Sequence, residues 1–219
     1  MTRPTRLEID TSALVHNVKQ VSHCAPGKQI IAMVKADAYG CGTKHVVPAL
    51  SAHVDAFGVA CIEEAMVVRQ YTNTPCILFQ GVFTQDELTL LLQHNFEPVI
   101  HQKAQLDWLL QAKLKAPIRV WVKVDTGMHR LGFSPKELSD VLSQLQSCAS
   151  VQSNIGLMTH FASADERLNP QNDVQISLFN SLELPSGEYT KSLGNSAAIL
   201  SRPNDLADVV RPGIMLYGV

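Results

Sequence analysis

Gln29-Ile30-Ile31-Ala32-Met33-Val34-Lys35-Ala36-Asp37-Ala38-Tyr39-Gly40-Cys41-Gly42 runs from an almost unbroken apolar stretch into a glycine-punctuated turn. The apolar part, residues 29–35, is short for a buried helix and too apolar to leave one face to water. It reads as a strand covered on both sides, the habit of parallel sheets. Residues 56–60, 75–80, 96–100, 119–125, 151–161, 189–194 and 208–217 read the same way. Helices are predicted over 11–21 behind an Asp10 or Thr11 cap, and over 62–70, 85–93, 102–113, 135–147 and 170–181, the last two opened by Pro135 and Pro170. About eight strands with helices separating most of them point to an α/β fold, a closed (β/α)8 barrel of the TIM type. No linker, low-complexity tract or charge block divides the 219 residues, so 1–219 is read as one domain.

Composition narrows the partners. With a formal charge of -2, 46% hydrophobic residues and both signs interspersed, the chain offers no basic patch for nucleic acid or an anionic membrane, so small molecules are the expected ligands. Its five cysteines are odd in number and lack CxxC or other metal spacing, which fits free thiols in a reducing compartment. The N-terminal MTRPTRLEID has no signal-peptide apolar run, and no stretch approaches the roughly 20 apolar residues of a membrane span. The expected location is cytoplasmic.

Four runs carry candidate chemistry. Lys35 ends the first strand, either snorkelling to solvent or serving as a Schiff-base lysine, since an amine in apolar surroundings is disfavoured as the cation and becomes nucleophilic. Active sites of such barrels lie at the carboxyl ends of the strands, where Lys35 stands. In Trp121-Val122-Lys123-Val124-Asp125-Thr126-Gly127-Met128-His129-Arg130-Leu131-Gly132-Phe133, alternation puts Trp121, Lys123 and Asp125 on one face. If that face is interior, Lys123 must be paired, with Asp125 or at the surface, or chemically altered. His160 ends the strand in Gly156-Leu157-Met158-Thr159-His160, either structural or a metal ligand should Asp165 and His129 converge on it; no second ligand pair has convincing spacing, so no metal is expected. Finally Ser192-Leu193-Gly194-Asn195-Ser196-Ala197-Ala198 and Val210-Arg211-Pro212-Gly213-Ile214-Met215-Leu216-Tyr217-Gly218 suit a phosphate monoester through Ser196, Gly213 and Ile214, although Asn-Ser-Ala-Ala is also an ordinary helix cap.

In this order, from Lys35 to Gly218, the four runs resemble the alanine racemase family. The first is similar to the family's usual VKADAYGHG, with Cys41 where many members have histidine. The resemblance implies pyridoxal 5'-phosphate as cofactor, Lys35 as its Schiff-base lysine and as one catalytic base, and Tyr39 reaching the phosphate. It implies further that Lys123 is carbamylated and holds Arg130, that Arg130 lies near the cofactor's phenolic oxygen and the substrate carboxylate, and that His160 flanks the pyridine ring. Arg211 would face the pyridine nitrogen; a guanidinium keeps its proton, leaving the ring a weaker electron sink, which suits racemisation. The implied activity is interconversion of L-alanine and D-alanine for D-alanine and peptidoglycan synthesis.

Complete members of the family continue into a β-rich second domain whose tyrosine is the second base across a head-to-tail homodimer. This chain runs to Val219 just after its last strand candidate, with only Tyr39, Tyr71, Tyr189 and Tyr217, all assigned to the barrel. The expectation is a fragment that binds cofactor, associates weakly or not at all, and racemises poorly by itself. Other readings are a single-domain protein managing free pyridoxal phosphate, whose relatives lack the KADAYG and VDTGMHRLGF runs, a racemase of serine or another amino acid, and an unrelated metal-dependent barrel.

Overall fold

In the computed structural model, which describes Pro4 and residues 6–218, eight parallel strands close into a barrel in chain order, with the first beside the last. They are β1 (Gln29–Met33), β2 (Ala56–Val59), β3 (Cys76–Leu78), β4 (Phe96–Ile100), β5 (Trp121–Lys123), β6 (Ile155–Met158), β7 (Tyr189–Asn195) and β8 (Val209–Arg211). The described helices are α1 (Thr11–Cys24), α2 (Lys35–Tyr39), α3 (Thr43–Leu50), α4 (Ile62–Arg69), α5 (Leu88–His94), α6 (Lys103–Gln111), α7 (Pro135–Gln146), α8 (Gln171–Asn180) and α9 (Ser196–Ser201). The ends of the expected domain, residues 1–3, 5 and 219, lie outside the described residues. None of the described helices is long and apolar enough to cross a membrane.

Strand alternation sorts the core into two layers. Ile31, Met33, Ala56, Ile77, Val99, Trp121, Met158 and Val209 fill the barrel, while the residues between them, such as Ala32, Phe57, Val122 and Leu157, pack under the helices. Trp121 is accommodated because Gly156 faces it; a Cβ at that position would collide with the indole ring. The indole Nε1 donates to Glu97 Oε2 at 2.7 Å, and the Arg119 guanidinium lies 5.0 Å over the ring. Burial pushes the Glu97 carboxyl above its ordinary range.

Two elements depart from the sequence reading. The expected strand over 208–217 stops at Arg211, because Pro212 has no N–H for a ladder and the chain then turns through Gly213 into a 3-10 turn, Ile214–Tyr217. The expected strand over 151–161 is confined to β6. The sequence reading also passed over α3, which carries Pro48 in its interior and so reads as a break.

Candidate active site

The chain leaves β1 through an unusual turn. Ala36, Asp37, Ala38 and Tyr39 all have φ between 52 and 55°, so α2 is a left-handed turn built without glycine. Each L-residue held there costs about 1–2 kcal/mol, and such strain persists only where the surroundings over-determine it. Here Ala38 N donates to Val34 O at 2.9 Å, Gly42 N to Asp37 O at 2.9 Å and Thr43 N to the Asp37 carboxylate at 2.7 Å. The Thr43 amide holds Asp37 below the usual carboxylate range. Lys35, directly before the run, stands at the cavity mouth with Nζ 5.9 Å from the centre of the Tyr39 ring.

The cavity at the carboxyl ends of the strands has a volume of about 510 Å³. It gathers nine of the residues singled out from the sequence, Lys35, Tyr39, Lys123, Arg130, His160, Ser196, Arg211, Gly213 and Ile214, while Asp125 and His129 are not part of its wall. Phe79, Gln80, Asp165 and Asn195 complete much of its wall. The apolar setting expected for Lys35 is not found, because the residue is exposed and its neighbours across the cavity are cations contributed by other strands.

Lys123 is only 8% exposed, and burial, then the charges of Arg130 and Arg211, push its ammonium down to about 8. It forms no ion pair among the described residues. Asp125, its expected partner, instead accepts from the backbone N–H groups of Gly127, Met128 and His129 at 2.9, 3.0 and 3.0 Å and meets His129 Nδ1 at 3.2 Å. The carboxylate shapes the turn carrying Arg130, and His129 is drawn there rather than to His160. Among the described residues no three His, Cys, Asp or Glu side chains gather as a metal set.

Arg211 is buried at the end of β8. It donates to Ser192 Oγ, to Thr159 O at 2.6 Å and to Leu193 O at 3.2 Å, and its Nη2 lies 3.5 Å from His160 Nδ1. Burial pushes this guanidinium down to about 10, which still leaves it charged at neutral pH. Burial and then the Arg211 charge push His160 down to about 3, so its imidazole is neutral.

Ser196, Gly213 and Ile214 form another part of the cavity wall. Asn195 caps α9 by accepting from Ala198 N at 3.0 Å, which leaves Ser196 free of that duty. Ser196 Oγ accepts from Gly213 N at 2.9 Å, while its own O–H and the Ile214 N–H have no partner among the described residues. A Cβ on Gly213 would collide with the Tyr39 hydroxyl, so the glycine is what lets that hydroxyl lie there.

With this geometry in place, the comparison with known proteins is decisive: the family described as "Alanine racemase, N-terminal domain" matches residues 9–219. The chain belongs to the alanine racemase family. The alanine racemase of Legionella pneumophila (strain Lens) is 57% identical over 220 residues, covering 100% of this chain and 61% of that one. The biosynthetic alanine racemase of Pseudomonas aeruginosa is 42% identical, with a TM-score of 0.89 over 96% of this chain and 58% of its own. That of Bartonella henselae, solved with covalently bound pyridoxal phosphate, is 30% identical with a TM-score of 0.85, covering 96% and 62%. The chain thus spans 61% of the length of its Legionella relative.

Within this alanine racemase family barrel, the sequence reading missed the groups that hold the loops around the cavity. Gln175 on α8, fully buried, accepts from Ala162 N at 2.9 Å and donates to His160 O at 3.0 Å and Thr126 Oγ1 at 3.2 Å. It joins the His160 segment to the turn bearing Arg130. Ser192 and Thr159 do the same for Arg211. Only Asn172 and Gln175, polar residues on the inward stripe of a helix, hint at this in the sequence.

Proposed function

We propose that the cavity binds pyridoxal 5'-phosphate at Lys35, and that the protein of which this chain is the barrel interconverts L-alanine and D-alanine for peptidoglycan synthesis. The observation that carries the reading is the pairing, in one cavity, of a lysine amine with a cradle of unused O–H and N–H donors at Ser196 and Ile214. The Tyr39 hydroxyl, seated over Gly213, and the buried guanidinium of Arg211 suit a phosphate and a flat nitrogen ring respectively. The five cysteines stand as free thiols, which fits a cytoplasmic site of action.

When bound, pyridoxal phosphate supplies an electron sink that acidifies the Cα proton of an attached amino acid. Ser196, Gly213, Ile214 and the Tyr39 hydroxyl would hold its phosphate. Arg211, which keeps its own proton, would face the ring nitrogen as a donor and so would keep the sink weak, favouring simple reprotonation. His160, neutral and fixed by its carbonyl bond to Gln175, gives the ring a flat wall. Lys35 Nζ removes or returns the proton on one face of Cα. Arg130 would meet the substrate carboxylate. Lys123, pushed toward its neutral amine, is suited to add carbon dioxide; the carbamate replaces a cation by an anion beside Arg130 and Arg211.

The opposite face of Cα needs a second acid, which we place outside these residues. Tyr217 donates its hydroxyl to Met33 O at 2.9 Å and Tyr189 donates to Pro185 O at 3.1 Å, so neither is available, and Tyr71 is not part of the cavity wall. A homodimer supplying that group across an interface completes the reading. Borohydride treatment after loading with pyridoxal phosphate should fix the label on Lys35 and not in Lys35→Ala. With D-alanine in deuterated water, the 219 residues alone should exchange the Cα proton with retention. A label spread over surface lysines, or L-alanine formed as fast as by the complete protein, would overturn the assignment.

A further inference from the structure

Glu64 stands in the first turn of α4, three residues after the helix-capping Cys61. A carboxylate at that place ordinarily turns back onto the start of its own helix. Only one of its oxygens does: Oε2 accepts from Ala60 N at 2.8 Å. The other, Oε1, reaches across to the neighbouring strand end and accepts from Ala36 N at 2.8 Å. No backbone carbonyl among the described residues takes either amide.

Ala36 is the residue after Lys35 and the first of the left-handed run. The hydrogen bonds that tie this strand end to its neighbours otherwise lie before the lysine, Met33 N donating to Pro212 O at 3.0 Å, Tyr217 to Met33 O and Val34 N to Gly58 O at 2.8 Å, while after it Tyr39 packs on Tyr217 toward β8. After the lysine, the Asp37 contacts with Gly42 and Thr43 stay within the same loop. Glu64 is therefore the hydrogen-bonded tie to the neighbouring strand on the far side of Lys35. Its two acceptor bonds are charge-assisted, and they close a bridge from the end of β1 to the end of β2.

We propose that Glu64 is a positioning residue for Lys35: by bridging the Ala36 and Ala60 amides its carboxylate fixes the left-handed turn against β2 and so aims the lysine amine into the cavity. This deepens the functional reading and rests on Lys35 being the cofactor amine. Neighbouring Glu63, exposed and directed to Cys61 instead, is the natural control, since its removal costs the same charge.

The test compares the unsubstituted chain with Glu64→Ala, Glu64→Gln and Glu63→Ala. Amide hydrogen exchange at Ala36 and Ala60 should accelerate about tenfold or more in Glu64→Ala, with the strand amides still protected. Glu64→Gln, nearly the same shape and with one acceptor left, should keep protection at one of the two amides and lose it at the other. If Glu64→Ala fails to fold, that split in Glu64→Gln decides. Capture of pyridoxal phosphate by Lys35, followed by its visible absorbance, should slow by about tenfold or more in Glu64→Ala, because small displacements of a reacting group are costly. Affinity for pyridoxamine 5'-phosphate, which has no aldehyde for the lysine, should stay within about twofold, a split that general loosening of the cavity would not give. Glu63→Ala should match the unsubstituted chain in every arm. Unchanged exchange at both amides, or equal losses for the two cofactor forms, would overturn the proposal while leaving Lys35 in its role. No adduct at Lys35 in the unsubstituted chain would overturn the functional reading and this inference with it.

Discussion

Gly213→Ala should separate cofactor affinity from fold stability. Gly213 has φ −119°, outside the left-handed region, and the perturbation is the new methyl group. That methyl would overlap the Tyr39 hydroxyl and come within 3.1 Å of its Cζ. Ordinary carbon contacts lie near 3.5–4.0 Å, so the ring must withdraw by roughly 1 Å. Tyr39 is 38% exposed and leans on Tyr217 with ring centres 5.0 Å apart, so it can swing outward. Losing part of an aromatic contact worth about 0.5–1.5 kcal/mol should lower fold stability by no more than about 1 kcal/mol. Losing one hydrogen bond to a charged phosphate should cost about 1.5–3 kcal/mol, weakening pyridoxal phosphate binding about 10- to 150-fold. Titration by absorbance and denaturant melts read the two quantities separately. Tyr39→Phe should reproduce the affinity loss, and the double variant should add little to either, as befits two changes that remove one interaction. Unchanged affinity in Gly213→Ala, or fully additive losses, would refute the role given to the Tyr39 hydroxyl.

Three further outcomes follow from the geometry. Gly156→Ala should destabilise the fold by about 3 kcal/mol or more in a denaturant melt, because its methyl meets the buried Trp121 ring, which has nowhere to move. His160 titrates near 3 when folded against 6.5 when exposed, so below 6.5 the unfolded chain binds the proton first. Stability should then fall by up to about 1.4 kcal/mol per pH unit as pH drops from 6 toward 4.5, and His160→Gln should flatten that slope. In ¹³C-bicarbonate near pH 8, a carbamate carbonyl resonance should appear and be absent from Lys123→Met; identical spectra would remove the carbamate from the mechanism.

The fold was legible because segments such as β1, β2 and β3 are apolar on both faces and recur between helical stretches, a pattern that few architectures but a parallel barrel can bury; β7, with Thr190, Lys191 and Ser192, shows it least. The ends of those segments were less so: Pro212 stops β8 inside a run that is otherwise strand-like. On α8 the usual signal is inverted, since Asn172 and Gln175 are fully buried while Val174 is 55% exposed. The helix serves its neighbours as a rack of amide side chains, so hydrophobic periodicity has little to report. In the site, residues with reactive side chains were visible in their motifs. Glu64 and Gln175 were not, because they act on backbone amides and carbonyls brought near only by folding. The surroundings of Lys35 were hidden for the same reason: its own strand is apolar, but the cavity wall it faces comes from around β5, β6 and β8.

The seam between β1 and β8 is narrow, with ladder pairs only at Gln29 with Val209 and Ile30 with Val210, reinforced beyond the strands by the Tyr217 hydroxyl on Met33 O, 184 positions away. The lysine and the phosphate cradle thus come from opposite ends of the described chain and meet only when the ring is shut. A nascent chain on the ribosome would hold no closed cavity until residues 209–217 had emerged, however much of the rest had already collapsed. On the proposed function, cofactor would then act as a latch selective for closed barrels, slowing reopening of the seam while leaving the earlier steps of folding untouched.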